Sequence, residues 1–430
     1  MTEQLETPAT KPAAQPATDP TADPGSADIH ELMRTFTVFD NRMAECPRAY
    51  LERVRTECPV GRSEMFDGYW VVTGLEPMRQ VLGDPRTFSS TVPIIPRLPG
   101  ADLSFAIPSG IDPPLHTQYR RLLGSVFSRK RIAALEPALR DLAGKLCDEF
   151  LATEGPYDFK NRFATTLPCA TLLAMLGLPY EDLDRLLFYK DLTIGAQFDP
   201  DPAVRERFLT EQLPEMIDYF KGHIDARWEN PDAPDDFLTA LCRAQFNGER
   251  PLEFFEIVNI VTVMIGAGLD TTTGEMCLHM AWFAENQDRW RELIDDPSLI
   301  PGAVEELLRV NGLVTPGRLV MKDVQVGGQQ FREGDLVASV TAAASFDEAA
   351  YPDANRIDFR RNPKHMTFGW GPHLCVGKNL ARQELTIAYQ ELTRRVAAFR
   401  IAEGTTPRRH AGIVLGIENL ELEVVREPQG

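Results

Sequence analysis

The spacing of apolar residues along the chain predicts a mainly helical protein. Apolar side chains recur every three or four positions over residues 135–151, which is the period of an α-helix with one buried face. Residues 251–286 are largely apolar and predict one long helix. Strand-like alternation is rarer. It predicts a strand at 69–73, two strands within 319–340 and a terminal hairpin within 412–425.

The first residues follow a different pattern from the rest of the chain. Prolines recur at every fourth position among alanine, threonine and aspartate, namely Pro8, Pro12, Pro16, Pro20 and Pro24. Such a segment cannot continue a helix and has little apolar surface to bury. We therefore expect a disordered tail over 1–28 and one folded domain over 29–430, mainly α with small β-sheets.

Composition and charge narrow the class of protein. The 430 residues are 43% hydrophobic and 25% charged, which is enough to build a large core. The net charge of −18 argues against nucleic-acid and anionic-membrane partners. Seven cysteines with no CxxC spacing fit neither a disulfide framework nor a structural zinc site. With polar N-terminal residues and no apolar run long enough to span a bilayer, a cytoplasmic protein is expected.

One cysteine has an unusual setting, in the segment Phe-Gly-Trp-Gly-Pro-His-Leu-Cys-Val-Gly that ends at Gly377. The residues after Gly377 predict a helix, so Cys375 would lie just before a helix N-terminus. Free N–H groups and the helix dipole stabilise a thiolate there. Two alternatives are a free cysteine on a glycine-rich turn and a nucleophile with His373 as its base. A catalytic pair usually comes from separate segments, which disfavours the second.

A second unusual segment interrupts the long predicted helix. Gly266 and Gly268 each cost about 1 kcal/mol relative to alanine in a helix interior, and the polar pair Asp270 and Thr271 follows directly. A broken local rule inside a consistent helix indicates a functional site. A close helix–helix contact at small residues explains the segment equally well when it is taken alone.

The cysteine segment resembles the haem-binding loop of the cytochrome P450 superfamily, Phe-x-x-Gly-x-x-x-Cys-x-Gly. Three further segments resemble that family in the expected order, so the resemblance covers the chain from about residue 29. It implies a P450-like helical fold, haem b (iron protoporphyrin IX) as cofactor, Cys375 as the iron ligand and Gly377 in the haem loop. Among P450s, the chain is similar to the soluble bacterial type.

The resemblance also assigns roles to the interrupted helix. Ala267 would border the haem and leave space for dioxygen. Asp270 would relay protons, and Thr271 would hold the proton-donating water, which is general acid work. A threonine hydroxyl that bonds a preceding carbonyl can loosen a helix and admit such a water. Many relatives carry Glu where this chain has Asp270.

Four basic residues match the family's partners for the haem propionates: His116, Arg120, Arg318 and His373. Two carboxylates near a core need cationic partners, and arginine binds them bidentately. The first two follow Asp112-Pro113-Pro114 at the start of a predicted helix.

A structural triad is implied by the family's Glu-x-x-Arg pair. Glu306 and Arg309 match that pair, and Arg356 matches the arginine that closes the triad and fixes the cysteine loop. The chain departs from the family pattern at Ser345-Phe346-Asp347, where Asn-Arg-Asp is common.

Electrons would have to come from another protein, because the chain contains no flavin or iron–sulfur motif. The resemblance implies a ferredoxin and a ferredoxin reductase. Basic residues near the expected proximal surface form a candidate docking patch for an acidic carrier, with ordinary solvated charge as the alternative. They are Arg120, Arg121, Arg129, Lys130, Arg131, Lys378 and Arg382.

The substrate pocket can be placed only by family position, and its residues are apolar. They are Ile94, Ile95, Phe105, Val263, Ala267, Val314 and Pro316. We therefore expect a small-to-medium hydrophobic substrate, terpenoid or aromatic, oxygenated with dioxygen. The alternatives are a peroxygenase and a non-catalytic haem protein that binds a small ligand, with a haem-free helical protein as the remote case. The Asp270-Thr271 pair argues against both haem alternatives, since neither needs proton delivery.

Overall fold

A computed structural model describes residues 28–45, 47–95, 106–198 and 201–426. The predicted tail, apart from Asp28, lies outside the described residues. The expected fold class is confirmed, because helices dominate and the sheets are small.

The α-helices differ widely in length, from short turns to one of 32 residues. They are α1 (Ile29–Arg34), α2 (Asn41–Glu45), α3 (Pro47–Glu57), α4 (Leu75–Gly83), α5 (Leu115–Val126), α6 (Arg129–Ala134), α7 (Glu136–Ala152), α8 (Thr166–Leu176), α9 (Leu183–Phe198), α10 (Pro202–Arg207), α11 (Leu213–Trp228), α12 (Phe237–Cys242), α13 (Phe254–Glu285), α14 (Gln287–Asp295), α15 (Ile300–Asn311), α16 (Thr341–Ala344) and α17 (Lys378–Arg395). Two π-helical turns, Lys160–Thr165 and Phe208–Gln212, and three 3₁₀ turns, Tyr180–Asp182, Pro297–Leu299 and Gly371–His373, complete the helical part.

The strands are short and belong to several small sheets. They are β1 (Val60–Ser63), β2 (Tyr69–Val72), β3 (Phe88–Ser89), β4 (Tyr157–Asp158), β5 (Gln245–Phe246), β6 (Arg250–Pro251), β7 (Gly317–Val320), β8 (Val324–Val326), β9 (Gln329–Phe331), β10 (Leu336–Ser339), β11 (Phe399–Ile401), β12 (Arg408–His410), β13 (Gly416–Asn419) and β14 (Glu421–Val424). The largest sheet has the order β1-β2-β10-β7-β3, in which only β10 and β2 run parallel.

The long helix α13 is the element around which the rest packs. A reciprocal capping box between Glu253 and Glu256 starts it, a few residues later than the pattern predicted because β6 occupies the preceding positions. By length and composition α13 could cross a membrane. In this fold it packs against α8, α9, α15 and α17. A large apolar cluster joins it to α7, α15 and α17.

Two strand predictions were incomplete or wrong. The segment 319–340 contains β8, β9, β10 and the second half of β7, rather than two strands. The prediction of a terminal hairpin was wrong, because β13 pairs with β12 whereas β14 pairs with β11 and β4. Alternation identified the two strands, but their partners lie elsewhere in the chain.

Candidate active site

The loop that carries Cys375 is shaped by glycines and backbone hydrogen bonds. Gly369 and Gly371 have φ angles of 75° and 70°, in the left-handed region that glycine adopts at little cost. A Cβ on Gly371 would lie 2.5 Å from the carbonyl oxygen of Leu82, so the loop rests directly on the end of α4. The Cys375 N–H donates to the Phe368 carbonyl at 2.9 Å. These contacts present Cys375 immediately before α17 begins.

The electrostatic setting of Cys375 contains opposing effects. Burial raises the pKa of its thiol, while hydrogen bonds from the backbone N–H groups of Gly377 and Lys378 and the charge of Arg120 lower it. The helix start thus acts in the predicted direction, but burial outweighs it. A thiolate at this position needs a further cation, which a bound metal ion supplies.

Four basic side chains lie together beside this loop. The rings of His116 and His373 are 3.9 Å apart between centroids. Arg120 donates to the carbonyl of Leu374, next to the cysteine. Arg318 is buried, and its guanidinium donates to the carbonyl of its own neighbour Gly317 at 2.6 Å.

The cluster forms no ion pair with any carboxylate that the structure describes, although His116 and Arg318 are buried and Arg120 and His373 are half-buried. Both ring nitrogens of His116 and Nε2 of His373 are buried with no hydrogen-bond partner. Burial, together with the charge of Arg120, lowers the pKa of His116 to about 4. Burial also lowers the pKa of Arg318 to about 10, against the attraction of Asp112. Asp112 is itself held by Ser89 and Ser90 at 2.5 and 2.7 Å.

This arrangement fits haem b. The two propionates would be bound by His116, Arg120, Arg318 and His373. Ring nitrogens of both histidines are buried without a hydrogen-bond partner, and the two arginines donate to backbone carbonyls. The iron would find the sulfur of Cys375 at the adjacent helix start. The fit depends on unpaired donors meeting carboxylates, since a buried polar group without a partner costs about 1–3 kcal/mol.

The Glu306–Arg309 pair is fully buried on α15 and doubly hydrogen-bonded, at 2.9 and 2.8 Å. Its third member is Arg361, whose Nε donates to Glu306 at 2.9 Å. The prediction that the Arg356 side chain closes the triad was therefore wrong. Arg356 contributes its backbone carbonyl, which accepts from Arg361 at 3.2 Å.

The triad anchors the segment that leads to the cysteine loop. Arg309 also donates to the carbonyls of Ser345 and Ala354, at 2.6 and 2.9 Å. Thr367, just before the loop, donates to the carbonyl of Leu308 at 2.6 Å. The departure from the family pattern at Ser345 thus leaves its backbone in the network.

On α13 the predicted functional segment faces a cavity. Gly266 and Ala267 line it; Gly268 is exposed, and a Cβ there would meet nothing within 4 Å. Thr271 Oγ1 donates to the Ala267 carbonyl at 3.1 Å, the bond to a preceding carbonyl that the sequence suggested. Asp270 accepts from Lys190 on α9 at 3.1 Å.

Lys190 was not predicted as a site residue from the sequence. Burial disfavours its charged form, but Asp270 and Asp191 outweigh that effect and raise its pKa. A Lys-Asp pair inside the apolar run of α9 was the available signal. Nothing local could show that Lys190 meets Asp270, which lies 80 positions further along the chain.

The cavity has a volume of about 900 Å³. Of the predicted pocket residues, Ile94, Val263, Ala267 and Val314 line it, as do Asp270 and Thr271. The prediction for Ile95 was wrong, because this side chain is fully buried in another apolar cluster. Neighbouring residues of an extended segment point to opposite sides, so Ile94 and Ile95 could not both face the cavity.

Two further pocket predictions have different outcomes. Pro316 forms a β-bridge with Ile94, and among the described residues Thr315 lines the cavity in its place. Phe105 lies outside the described residues.

A half-buried thiol at a helix start, a basic cluster suited to two carboxylates and a large cavity lined by proton-bearing groups define the haem-thiolate class of proteins. Comparison with known families agrees with this class. The family model for cytochrome P450 matches residues 71–423. The chain therefore belongs to the cytochrome P450 family; it is a monooxygenase, and its cofactor is haem b.

Individual relatives cover most of the chain. It is 35% identical to a probable cytochrome P450 127A1 from Sinorhizobium fredii, over 83% of each protein. It is 33% identical to a mycinamicin IV hydroxylase/epoxidase from Micromonospora griseorubida, over 83% of this chain and 89% of that one. Among solved structures, ligand-free cytochrome P450 TbtJ1 superposes with a TM-score of 0.81 at 30% identity, covering 91% of this chain and all of that one.

Proposed function

We propose that Cys375 ligates the haem iron and that the enzyme oxygenates a small-to-medium hydrophobic compound with dioxygen and two electrons from a ferredoxin. One observation carries the proposal. Cys375 lies beside four basic residues that lack anionic partners, and the long helix bordering the neighbouring cavity carries Asp270 and Thr271.

Haem b, when bound, supplies the reductive activation of dioxygen. The protein's own residues would bind the haem, orient a water molecule and deliver protons. His116, Arg120, Arg318 and His373 would hold the propionates. Lys190 holds the Asp270 carboxylate at the cavity wall, where Asp270 would pass protons inward. Thr271 would orient the last water, and its hydroxyl already lies on a helix carbonyl that it can exchange for that water.

The substrate is proposed from the cavity. Apolar side chains such as Ile94, Val263 and Val314 favour a terpenoid or aromatic compound. Ligand pockets span roughly 300–1,000 Å³, so a cavity of about 900 Å³ lies near the upper end of that range and favours a medium-sized substrate over a small one. The relative named as a mycinamicin IV hydroxylase/epoxidase supports oxygenation of an organic compound.

The electron donor is proposed to be a ferredoxin, itself served by a ferredoxin reductase. Two of the predicted docking residues are engaged within the protein, since Arg131 pairs with Asp235 and Arg382 with Glu305. Arg121, Arg129 and Lys130 make no ion pair with any described residue; we call these three the basic surface. A cytoplasmic location, where such carriers are reduced, belongs to the same proposal.

The test is the optical spectrum of the reduced protein with carbon monoxide, followed by turnover with a surrogate ferredoxin and reductase. We expect the strongly red-shifted Soret band of thiolate ligation, its loss in Cys375→Ser, and its retention in Cys169→Ser. Cys169 is a buried cysteine on α8 and so serves as the matched control. A histidine-type spectrum in fresh wild-type protein would overturn the proposal.

Turnover separates the alternative functions. Product formed with dioxygen and reduced ferredoxin supports the monooxygenase reaction. Product formed only with added hydrogen peroxide would identify a peroxygenase instead. A thiolate spectrum without turnover of any compound that shifts the spin state would identify a ligand-binding haem protein.

A further inference from the structure

The charge balance inside the cavity differs from that of the whole protein. The chain carries a net charge of −18, yet among the described residues the cavity wall contains three cationic side chains, Lys160, Lys190 and Arg205, against two carboxylates. Those carboxylates, Asp191 and Asp270, both bind Lys190, at 2.5 and 3.1 Å. One cation thus satisfies both anions, and two cations remain.

Arg205 is the more clearly unpaired of the two. It lies in the last turn of α10, half-buried in the cavity wall beside Phe208 and Leu209 of the following π-helical turn. Its guanidinium makes no hydrogen bond or ion pair with any residue that the structure describes. A charged group that leaves water without a partner is costly. A ligand anion would remove that cost.

Lys160 contributes positive charge without a dedicated carboxylate. Its Nζ donates to the backbone carbonyl of Glu418 at 3.0 Å. The Glu418 carboxylate pairs with Arg408 at 3.4 Å instead. His410, which also lines the cavity, has a pKa lowered by burial and so adds little charge near neutral pH.

We propose that the substrate is an apolar carboxylic acid whose carboxylate is bound by Arg205. This inference rests on the proposed function and adds the chemical class of its substrate. A guanidinium binds a carboxylate through two parallel N–H···O bonds, which fixes the orientation of the attached apolar body. A singly charged carboxylate suits this wall better than a phosphate because fewer charges have to leave water in an apolar cavity. A cationic ligand would meet uncompensated positive charge.

The test compares three probes of equal chain length: dodecanoic acid, dodecan-1-ol and dodecyltrimethylammonium. Each is titrated into the haem-loaded protein at neutral pH and followed both by calorimetry and by the spin-state change of the haem. We expect the acid to bind about tenfold more tightly than the alcohol, as a charge-assisted hydrogen-bonded pair implies. The ammonium probe should bind most weakly.

Variants assign the effect to one residue. Arg205→Gln should bring the affinity for the acid down to that for the alcohol and leave the alcohol unchanged. Arg205→Lys should keep part of the preference for the acid over the alcohol, because lysine retains the positive charge but lacks the two parallel N–H donors of the guanidinium. Arg207→Gln is the matched control, since Arg207 is an exposed arginine on the same helix outside the cavity wall.

Equal affinities for acid and alcohol in the wild-type protein would overturn the proposal. So would a preference lost in Lys160→Gln but kept in Arg205→Gln. The carbon monoxide spectrum of the same preparations reports on the proposed function separately. A thiolate spectrum without acid preference refutes the substrate class alone, whereas a missing thiolate spectrum refutes the haem assignment whatever calorimetry shows.

Discussion

Thr271 combines a backbone contact with access to the cavity. Its hydroxyl donates to the carbonyl of Ala267 at 3.1 Å while the residue lines the cavity. A hydroxyl in this position can release the carbonyl and accept or orient a water without unfolding the helix. Neighbouring Asp270 is held by Lys190, so a carboxylate and a hydroxyl suited to the proposed proton route lie on adjacent residues.

Replacing Thr271 by alanine should separate oxygen consumption from product formation. Haem binding and substrate binding should be unchanged, while the product formed per electron pair falls about tenfold or more, since positioned proton transfer contributes at least that much. The electrons that no longer form product should appear as hydrogen peroxide, which is measured together with the consumption of reductant. Thr271→Ser should restore coupling.

Thr262→Ala is the control for that experiment. Thr262 lines the same cavity and its hydroxyl donates to Val258 at 2.9 Å, but it lies more than two helical turns away. Full coupling of electrons to product in Thr271→Ala would remove Thr271 from the proposed proton route.

The buried carboxylate of Glu306 has two arginine partners, Arg309 and Arg361. Arg361→Ala should lower the free energy of unfolding by about 2–3 kcal/mol, because it removes one of the two guanidinium donors of a buried carboxylate. Arg356→Ala should change it by less than about 1 kcal/mol, because only the backbone carbonyl of Arg356 enters the network. Denaturant unfolding and the rate of haem loss measure both. Equal effects of the two variants would contradict this assignment.

At the scale of elements, helices α8, α13 and α17 meet around one buried carboxyl group. Glu384 on α17 is 3% exposed and lies beside the hydroxyls of Thr171 on α8 and Thr272 on α13. Burial raises its pKa to about 8, although the two threonines oppose that rise. The packing of α17, which begins directly after the cysteine loop, is therefore sensitive to the protonation of Glu384.

The sign of the resulting pH effect follows from linkage. The native state holds the proton of Glu384 up to about pH 8, whereas the unfolded chain releases it near its ordinary value of about 4.3. The contribution of Glu384 to the free energy of unfolding is therefore fully present at low pH. It is lost as the pH rises through that window, by at most about 1.4 kcal/mol per pH unit.

Glu384→Gln should abolish this contribution. The difference in unfolding free energy between variant and wild type should favour the variant increasingly from pH 5 to pH 8, measured by denaturant titration. Glu403→Gln, at an exposed glutamate, is the control and should show no such trend. A difference that stays constant across the window would show that Glu384 does not titrate there.

At the scale of the whole molecule, a strongly acidic protein presents a local basic surface. The basic surface begins on α5, the helix that carries His116, Arg120 and Arg121. It continues at the start of α6 with Arg129 and Lys130. Attraction between opposite surface charges mainly accelerates encounter and is screened by salt. The basic surface should therefore affect how fast an acidic carrier docks more than how tightly it stays.

Reduction by an acidic ferredoxin should slow steeply as ionic strength rises. The double variant Arg129→Gln/Lys130→Gln should lower the second-order rate constant at low salt by about fivefold or more and flatten its salt dependence. Arg129→Lys/Lys130→Arg keeps both charges and should match the wild type. Stopped-flow reduction measures all three. A salt-independent wild-type rate would mean that docking is not electrostatic.

Local signals in the sequence determined several parts of this protein. The apolar periods of α7 and α13 predicted both helices, and the glycines around Cys375 predicted a tight loop followed by α17. These predictions hold because a helical period and a left-handed glycine are properties of neighbouring residues.

Other parts were decided only by tertiary structure. Whether Glu306 meets Arg356 or Arg361, whether β13 pairs with β14, and whether Ile94 or Ile95 faces the cavity all depend on where distant segments pack. The same holds for Lys190 beside Asp270 and for Arg205 in the cavity wall. Sequence alone determined the family, the cysteine loop and the long helix. Only the tertiary structure decided which charges are paired and which are left for a ligand, because pairing depends on distances between residues far apart in the chain.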